Sequence, residues 1–120
     1  MPEPTRIGLT EPTRDCLLEM IKEGIADNNW DLYKLAVALE ISEGNSPPPL
    51  PEKANGMFRT YELDPDSVLC AAVENMNLVK DNEATYSVVE RLGEVGVKKL
   101  YEEYKSTGSI SLDKLLVNID

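Results

Sequence analysis

The chain has 120 residues, a length that fits one compact domain and leaves no room for a second. Its 12 basic and 22 acidic side chains give a net charge of −10, which disfavours non-specific binding to phosphate backbones. Histidine is absent, which excludes the commonest general base, the histidine-assisted nucleophiles and most zinc ligand sets. The sequence therefore predicts a non-enzymatic protein with no catalytic residues, no cofactor and no metal ion.

Cysteine usage and hydropathy bear on the compartment of the protein. Cys16 and Cys70, the two cysteines, lie in apolar helical patterns and are expected to be buried free thiols of a reducing compartment. No charged segment followed by an apolar stretch opens the chain, and no apolar run approaches the ~18 residues that a membrane span needs. We expect a cytoplasmic protein that does not contact a membrane.

The first part of the chain predicts one strand and two helices. Apolar and other residues alternate over 6–10, a period typical of a short strand. One helix is predicted from a cap at Thr10 to Gly24, and another from a cap at residues 27–29 to Gly44. The apolar residues expected to face inward are Cys16, Leu17, Met20, Ile21, Leu32, Leu35, Ala36 and Leu39.

This order of strand, helix and helix is that of a ribbon-helix-helix module, in which strands from two chains pair. A strand this short is not stable by itself, so we expect its partner strand to come from a second chain. A homodimer or higher oligomer would complete the fold. In DNA-binding versions the ribbon enters the major groove, and its outward side chains here would be Arg6, Gly8 and Thr10.

A proline-rich connector occupies the middle of the chain, over residues 46–56. Its four prolines between Ser46 and Pro51 exclude a helix and favour an extended, stiff spacer. Asn55 and Gly56 form a turn signal, and residues 57–61 have the composition of a short extended segment.

The remainder of the chain predicts three further helices. The first starts at Asp64 and Pro65, with an inner face of Val68, Leu69, Ala72, Val73 and Met76. A long helical pattern then covers about residues 83–106, as one helix or as two joined near Gly93 and Gly96, where glycine permits close packing or a kink. A last short helix begins at Ser111, and its inward residues are Leu112, Leu115, Leu116 and Ile119. The predicted fold is a single all-α domain over residues 1–120, with a short N-terminal strand.

The charged clusters are better explained by ordinary helix chemistry than by ligand sites. Glu94 precedes Lys98 by four residues and Glu102 follows it by four, so helix ion pairs account for the basic residues there better than a phosphate track does. The acidic run at residues 64–66 reads as a helix cap, and calcium-loop spacing is absent. The five tyrosines have mostly acidic neighbours, which favours core or interface packing over base stacking.

Three segments carry a resemblance to a known family. They are residues 6–10, residues 35–44, and residues 93–100 leading to 109–112. In order and spacing, the chain from about Arg6 to Leu116 resembles DndE, the small all-helical component of the bacterial DNA phosphorothioation (DNA sulfur-modification) machinery. The resemblance implies an oligomeric subunit without catalytic residues, a dimer or a tetramer, that binds nicked duplex DNA beside other DNA sulfur-modification proteins. The family places lysines along its first helix, where this chain has Arg14 and Lys22.

Three functions remain open from the sequence. In the first, an oligomeric accessory subunit of DNA sulfur modification contacts nicked double-stranded DNA through a small basic face, for which the candidate residues are Arg6, Arg14, Lys22 and Lys34. In the second, the acidic surface docks a basic partner protein and repels DNA. In the third, the chain is a ribbon-helix-helix transcription regulator, although Gly8 offers no side chain for reading bases.

Overall fold

The computed structural model describes residues 3–44, 46–80 and 82–108, and within them it is mostly helical. In chain order its elements are β1 (Arg6–Leu9), α1 (Glu11–Lys22), α2 (Asn29–Glu43), β2 (Asn55–Arg59), α3 (Thr60–Leu63), α4 (Val68–Asn75) and α5 (Thr85–Thr107). The prediction of a helical domain with a short N-terminal strand is confirmed. The helix predicted from Ser111 lies outside the described residues.

The partner of β1 is a strand of the same chain, so the expected strand from a second chain is wrong. β1 and β2 form a two-stranded antiparallel sheet in which Ile7 pairs with Phe58. Gly8 permits this pairing, because a Cβ at that position would lie 1.6 Å from the carbonyl oxygen of Asn55. Gly8 and Thr10 are therefore buried rather than outward positions of a ribbon.

The sequence of β2 carried a misleading turn signal. Asn55 and Gly56 are the first residues of β2, not a turn, and the pairing contains an irregularity opposite Gly8. The extended segment expected over 57–61 ends earlier, because the short helix α3 begins at Thr60. Residues 46–54 contain neither helix nor strand, as the prolines predict.

Two carboxylates, one distant in sequence and one local, cap two of the helices. The carboxylate of Glu3 accepts hydrogen bonds from the backbone N–H groups of Thr85 and Tyr86 at 2.9 and 2.8 Å, where α5 begins. The carboxylate of Asp64 accepts from the N–H groups of Leu69 and Cys70 at 3.0 and 3.1 Å, which confirms that Asp64 caps α4. The predicted start of this helix at Asp64 and Pro65 is wrong, because α4 begins at Val68. These bonds leave few orphan donors at either helix start.

α5 is one continuous helix that packs against α2 along its glycines. A Cβ on Gly96 would lie 2.4 Å from the carbonyl oxygen of Ala36, and one on Gly93 would lie 2.5 Å from the ring of Tyr33. The glycines therefore serve close packing, and the alternative of two helices joined near them is wrong. The buried core that surrounds this crossing includes Leu17, Met20, Leu32, Tyr33, Val37, Val89, Leu92 and Val97.

Three expectations about inward faces need correction. Val68 and Met76 are 65% and 45% exposed. Val73 is the buried residue of the eight-residue α4, and the predicted inner face of this helix is therefore mostly not buried. Leu35 and Leu39 are half-buried, while Tyr33 and Val37 are buried together with the predicted inward residues Leu32 and Ala36. Cys16 and Cys70 are free thiols, as predicted, but both are half-buried rather than buried.

Candidate nucleic-acid interface

The start of α1 is held against α5 by a buried carboxylate. Glu94 is 3% exposed and accepts hydrogen bonds from the Thr10 backbone N–H at 3.0 Å and the Thr10 hydroxyl at 2.8 Å. The hydroxyl of Thr13 donates to the same carboxylate at 2.7 Å. Because Thr10 precedes the first turn of α1, this carboxylate sits at the positive end of the helix and fixes the direction in which α1 leaves the sheet.

The charge of Glu94 is stabilised by these donors. Burial by itself raises the pKa of Glu94, but hydrogen bonds from Thr13, Thr10 and Lys98 outweigh it and hold the pKa below its usual value. Lys98 lies 3.2 Å from the carboxylate, which confirms the predicted ion pair. The prediction that both residues of this pair face solvent is confirmed for Lys98, which is exposed, and is wrong for Glu94, which is buried.

A second carboxylate one turn earlier covers the outer edge of β1. Glu90 accepts the backbone N–H of Gly8 at 2.8 Å. Burial raises the pKa of Glu90, and the neighbouring charge of Glu94 adds to the shift. Together these carboxylates occupy the N–H groups of Gly8 and Thr10, which opposes pairing of a further strand with this part of the chain.

Most cations on α5 are already neutralised. The ammonium of Lys99 lies 3.0 Å from Glu40 and 2.8 Å from Glu43, which ties α5 to the end of α2. Lys105 lies 2.9 Å from Glu19 on α1 and also sits over the rings of Tyr101 and Tyr104. These lysines are therefore poor candidates for phosphate contact, as the sequence predicts for Lys98 and Lys99.

The four basic residues predicted to contact DNA keep most of their charge available. Arg6 is exposed on β1 and donates a hydrogen bond to the carbonyl of Gly56 at 3.3 Å. Lys22 and Lys34 make no ion pair with any described residue. Arg14 has a 3.9 Å contact with the carboxylate of Asp15, too long for a hydrogen bond.

The structure does not gather these four residues into one patch. Arg14 and Lys22 share one face of α1, eight residues and therefore about 12 Å apart along the helix. Lys34 lies on α2 beside a pocket of about 270 Å³ whose wall includes the carboxylates of Asp64 and Asp66. Arg6 is on the sheet. We call the face of α1 formed by the half-buried Arg14 and the exposed Leu18 and Lys22 the α1 stripe.

Leu18 is the apolar part of this surface, and the sequence predicts that it lies in a subunit interface. It is 41% exposed and stands between the two cations, four residues from each. Its position off the inward stripe of Leu17, Met20 and Ile21 was the available signal. The α1 stripe thus combines two cations with an apolar centre.

The described residues contain no group of three or more acidic, cysteine or histidine side chains that could hold a metal ion. Among the helices of residues 3–44, 46–80 and 82–108, none is long and apolar enough to cross a membrane.

Comparisons with family models, with curated proteins and with solved structures find no match for this chain.

Proposed function

We propose that the chain is a non-enzymatic, oligomeric accessory subunit of a DNA sulfur-modification system, which contacts nicked duplex DNA through the α1 stripe. The resemblance to DndE supplies the biological setting. The observation that carries the DNA contact is the contrast in ion pairing: Lys98, Lys99 and Lys105 are neutralised by carboxylates, whereas Lys22 pairs with no carboxylate in the part of the chain that the structure describes. An unpaired cation on an exposed helix face is available to a phosphate group.

Two cations in one chain make a weak contact, and assembly would strengthen it. Each phosphate contact adds a modest, salt-dependent contribution, so one chain with a net charge of −10 has low affinity for duplex DNA. A homodimer or homotetramer presents two or four copies of the stripe, and copies that reach one duplex bind together more tightly than each does alone. The proposed activity therefore depends on the oligomer.

A matched pair of double variants tests this function. Arg14→Gln with Lys22→Gln removes the two charges of the α1 stripe, while Arg59→Gln with Lys105→Gln removes the same charge from exposed residues that pair with Glu62 and Glu19. We expect the first variant to lose about tenfold or more in affinity for a nicked duplex at low salt. Its slope of log affinity against log salt should fall by about 2 for each copy of the stripe that contacts the duplex, given about 0.9 per phosphate contact. Equal losses in both variants would contradict the assignment.

The second candidate function is docking of a basic partner protein through acidic surface. Exposed carboxylates without an ion pair among the described residues are spread over the chain, at Glu11, Glu23, Asp27, Glu52, Asp66 and Glu102. This surface attracts a cationic protein and opposes DNA. Absence of binding to any duplex at low salt would favour this function over the first.

The third possibility, a ribbon-helix-helix transcription regulator, is not proposed. It requires a ribbon of two chains, and β1 pairs with β2 of its own chain while Glu90 and Glu94 cover its other edge.

A further inference from the structure

The cavity beside Lys34 is a separate feature from the α1 stripe. It has a volume of about 270 Å³, and its lining is mostly apolar. Lys34 of α2 contributes to this lining, and the remaining lining residues lie between Leu63 and Leu69. Sites that take drug-sized ligands measure about 300–1,000 Å³, so this cavity suits a smaller molecule.

Asp64 fixes the shape of the cavity wall. Its carboxylate is 6% exposed and accepts hydrogen bonds from the backbone N–H groups of Leu69 and Cys70. The hydroxyl of Tyr86 on α5 donates to the same carboxylate at 2.9 Å. These bonds join the segment before α4 to both helices, and Pro65 restricts the backbone of that segment further. The wall is therefore formed in advance, which lowers the entropy that a ligand loses on binding.

Two lining residues carry opposite charges that are free for a ligand. Lys34 forms no ion pair with any described residue, and neither does Asp66. Asp64 differs from them, because its carboxylate already accepts three hydrogen bonds. An occupant with one negative and one positive group satisfies both free charges through charge-assisted hydrogen bonds.

The apolar lining reaches from the core to the surface. Leu63 is fully buried, whereas Val68 is 65% exposed, the largest value among the large apolar side chains of the described chain. An aliphatic group in the cavity contacts these residues and removes apolar surface of Val68 from water. The lining therefore favours a ligand with an aliphatic body as well as two charges.

We propose that this cavity binds a free zwitterionic α-amino acid with an aliphatic side chain, of which leucine is the probe. Its carboxylate pairs with the ammonium of Lys34, its α-ammonium pairs with Asp66, and its side chain packs against Leu63, Val68 and Leu69. The carboxyl terminus of a peptide lacks the ammonium and the amino terminus lacks the carboxylate, so neither satisfies both charges. This binding is independent of any DNA contact.

A nuclear magnetic resonance titration of the full-length chain with L-leucine tests the site. At low ionic strength, millimolar leucine should shift the backbone amide resonances of Asp66, Val68 and Leu69 in a saturable manner. Leucinamide lacks the carboxylate, N-acetylleucine lacks the ammonium, and glycine lacks the aliphatic side chain. Each should bind about tenfold or more weakly than leucine, because a charge-assisted hydrogen bond or a buried aliphatic side chain contributes at least that factor. Absence of a saturable shift with leucine, or equal binding of any of the three analogues, would overturn the proposal.

Variants of the two charged residues assign each contact. Lys34→Gln should weaken leucine binding about tenfold and abolish the preference for leucine over leucinamide, because the lost partner is the carboxylate. Asp66→Asn should likewise abolish the preference for leucine over N-acetylleucine. The matched control is Lys22→Gln, which removes a cation of the α1 stripe and should leave leucine binding unchanged. A preference that persists in its variant would overturn the assigned pairing, and so would a loss of binding in the control.

The outcomes of this titration are separate from those of the DNA tests. Leucine binding depends on Lys34 and Asp66, whereas the proposed DNA contact depends on Arg14 and Lys22. Failure of one proposal therefore leaves the other intact.

Discussion

Replacement of Glu94 by glutamine should lower the stability of the fold more than any exposed charge change. The carboxylate is 3% exposed and accepts three hydrogen bonds, from Thr10 twice and from Thr13 once. Hydrogen bonds to a charged acceptor contribute roughly 1.5–3 kcal/mol each and those to a neutral acceptor roughly 0.5–1.5 kcal/mol. Loss of the charge should therefore cost about 1 kcal/mol per bond, or about 3 kcal/mol in total, from a typical stability of 5–15 kcal/mol.

Urea unfolding measures this cost. Trp30, the single tryptophan, packs edge-on against Phe58 of β2 with ring centroids 5.4 Å apart, so its fluorescence reports on the sheet that Glu94 supports. The matched control is Glu102→Gln, an exposed carboxylate on the same helix that makes no ion pair within the described residues. If the two variants unfold within about 0.5 kcal/mol of each other, the account of Glu94 as the anchor of α1 is wrong.

The same variant has a predictable dependence on pH. The pKa of Glu94 in the folded protein lies below its ordinary value of 4.5, so its charge stabilises the fold at neutral pH. This contribution is complete above pH 4.5 and is lost as the pH falls through the lowered pKa. The difference in unfolding free energy between wild type and Glu94→Gln should therefore shrink below pH 4.5, and a difference that grows there would contradict the assignment.

Three further predictions concern packing, burial and capping. Gly96→Ala should destabilise by about 1–3 kcal/mol in urea unfolding, although alanine is the better helix former, because its Cβ would lie 2.4 Å from the carbonyl oxygen of Ala36; a gain in stability would refute the close crossing. Burial raises the pKa of Glu90 above 4.5. The wild type should therefore lose stability relative to Glu90→Gln as the pH rises through that raised pKa. Thermal unfolding of both proteins from about pH 4 to about pH 7 tests the direction of this change. Asp64→Ala should cost about 1–2 kcal/mol and the exposed Asp66→Ala close to none, and equal costs would show that Asp64 does not cap α4.

Local signals in the sequence were sufficient for α1, α2 and α5 but not for the short helix α3, which falls in a segment predicted to be extended. Asn28 accepts a hydrogen bond from the N–H of Asp31 at 3.0 Å, and Gly44 ends α2 in a left-handed conformation, as their residue types predict. The glycines of α5 were recognised as sites of close packing, but the sequence left a kink open. The close approach of Gly96 to Ala36 shows that the glycines serve packing and not a kink. This contact could not be predicted locally, because Ala36 lies on α2, which ends about 50 residues before Gly96.

The errors arise where distant residues decide the environment. β1 and β2 lie about 50 residues apart, and no local pattern shows that Ile7 faces Phe58 rather than a strand of another chain. Glu94 occupies an ordinary helix position next to Lys98, and its burial depends on donors from Thr10 and Thr13 more than 80 residues away. The basic residues of the candidate interface could be named from the sequence, but their ion pairing could not.

The most direct test of the proposed function is a titration of fluorescent nicked and intact duplexes with the wild-type protein, at low salt and at about 0.2 M salt, where phosphate contacts lose orders of magnitude in affinity. The account predicts binding at low salt that is tighter for the nicked duplex and falls steeply as salt rises. Failure to bind either duplex at low salt would contradict it and favour the docking of a basic partner protein.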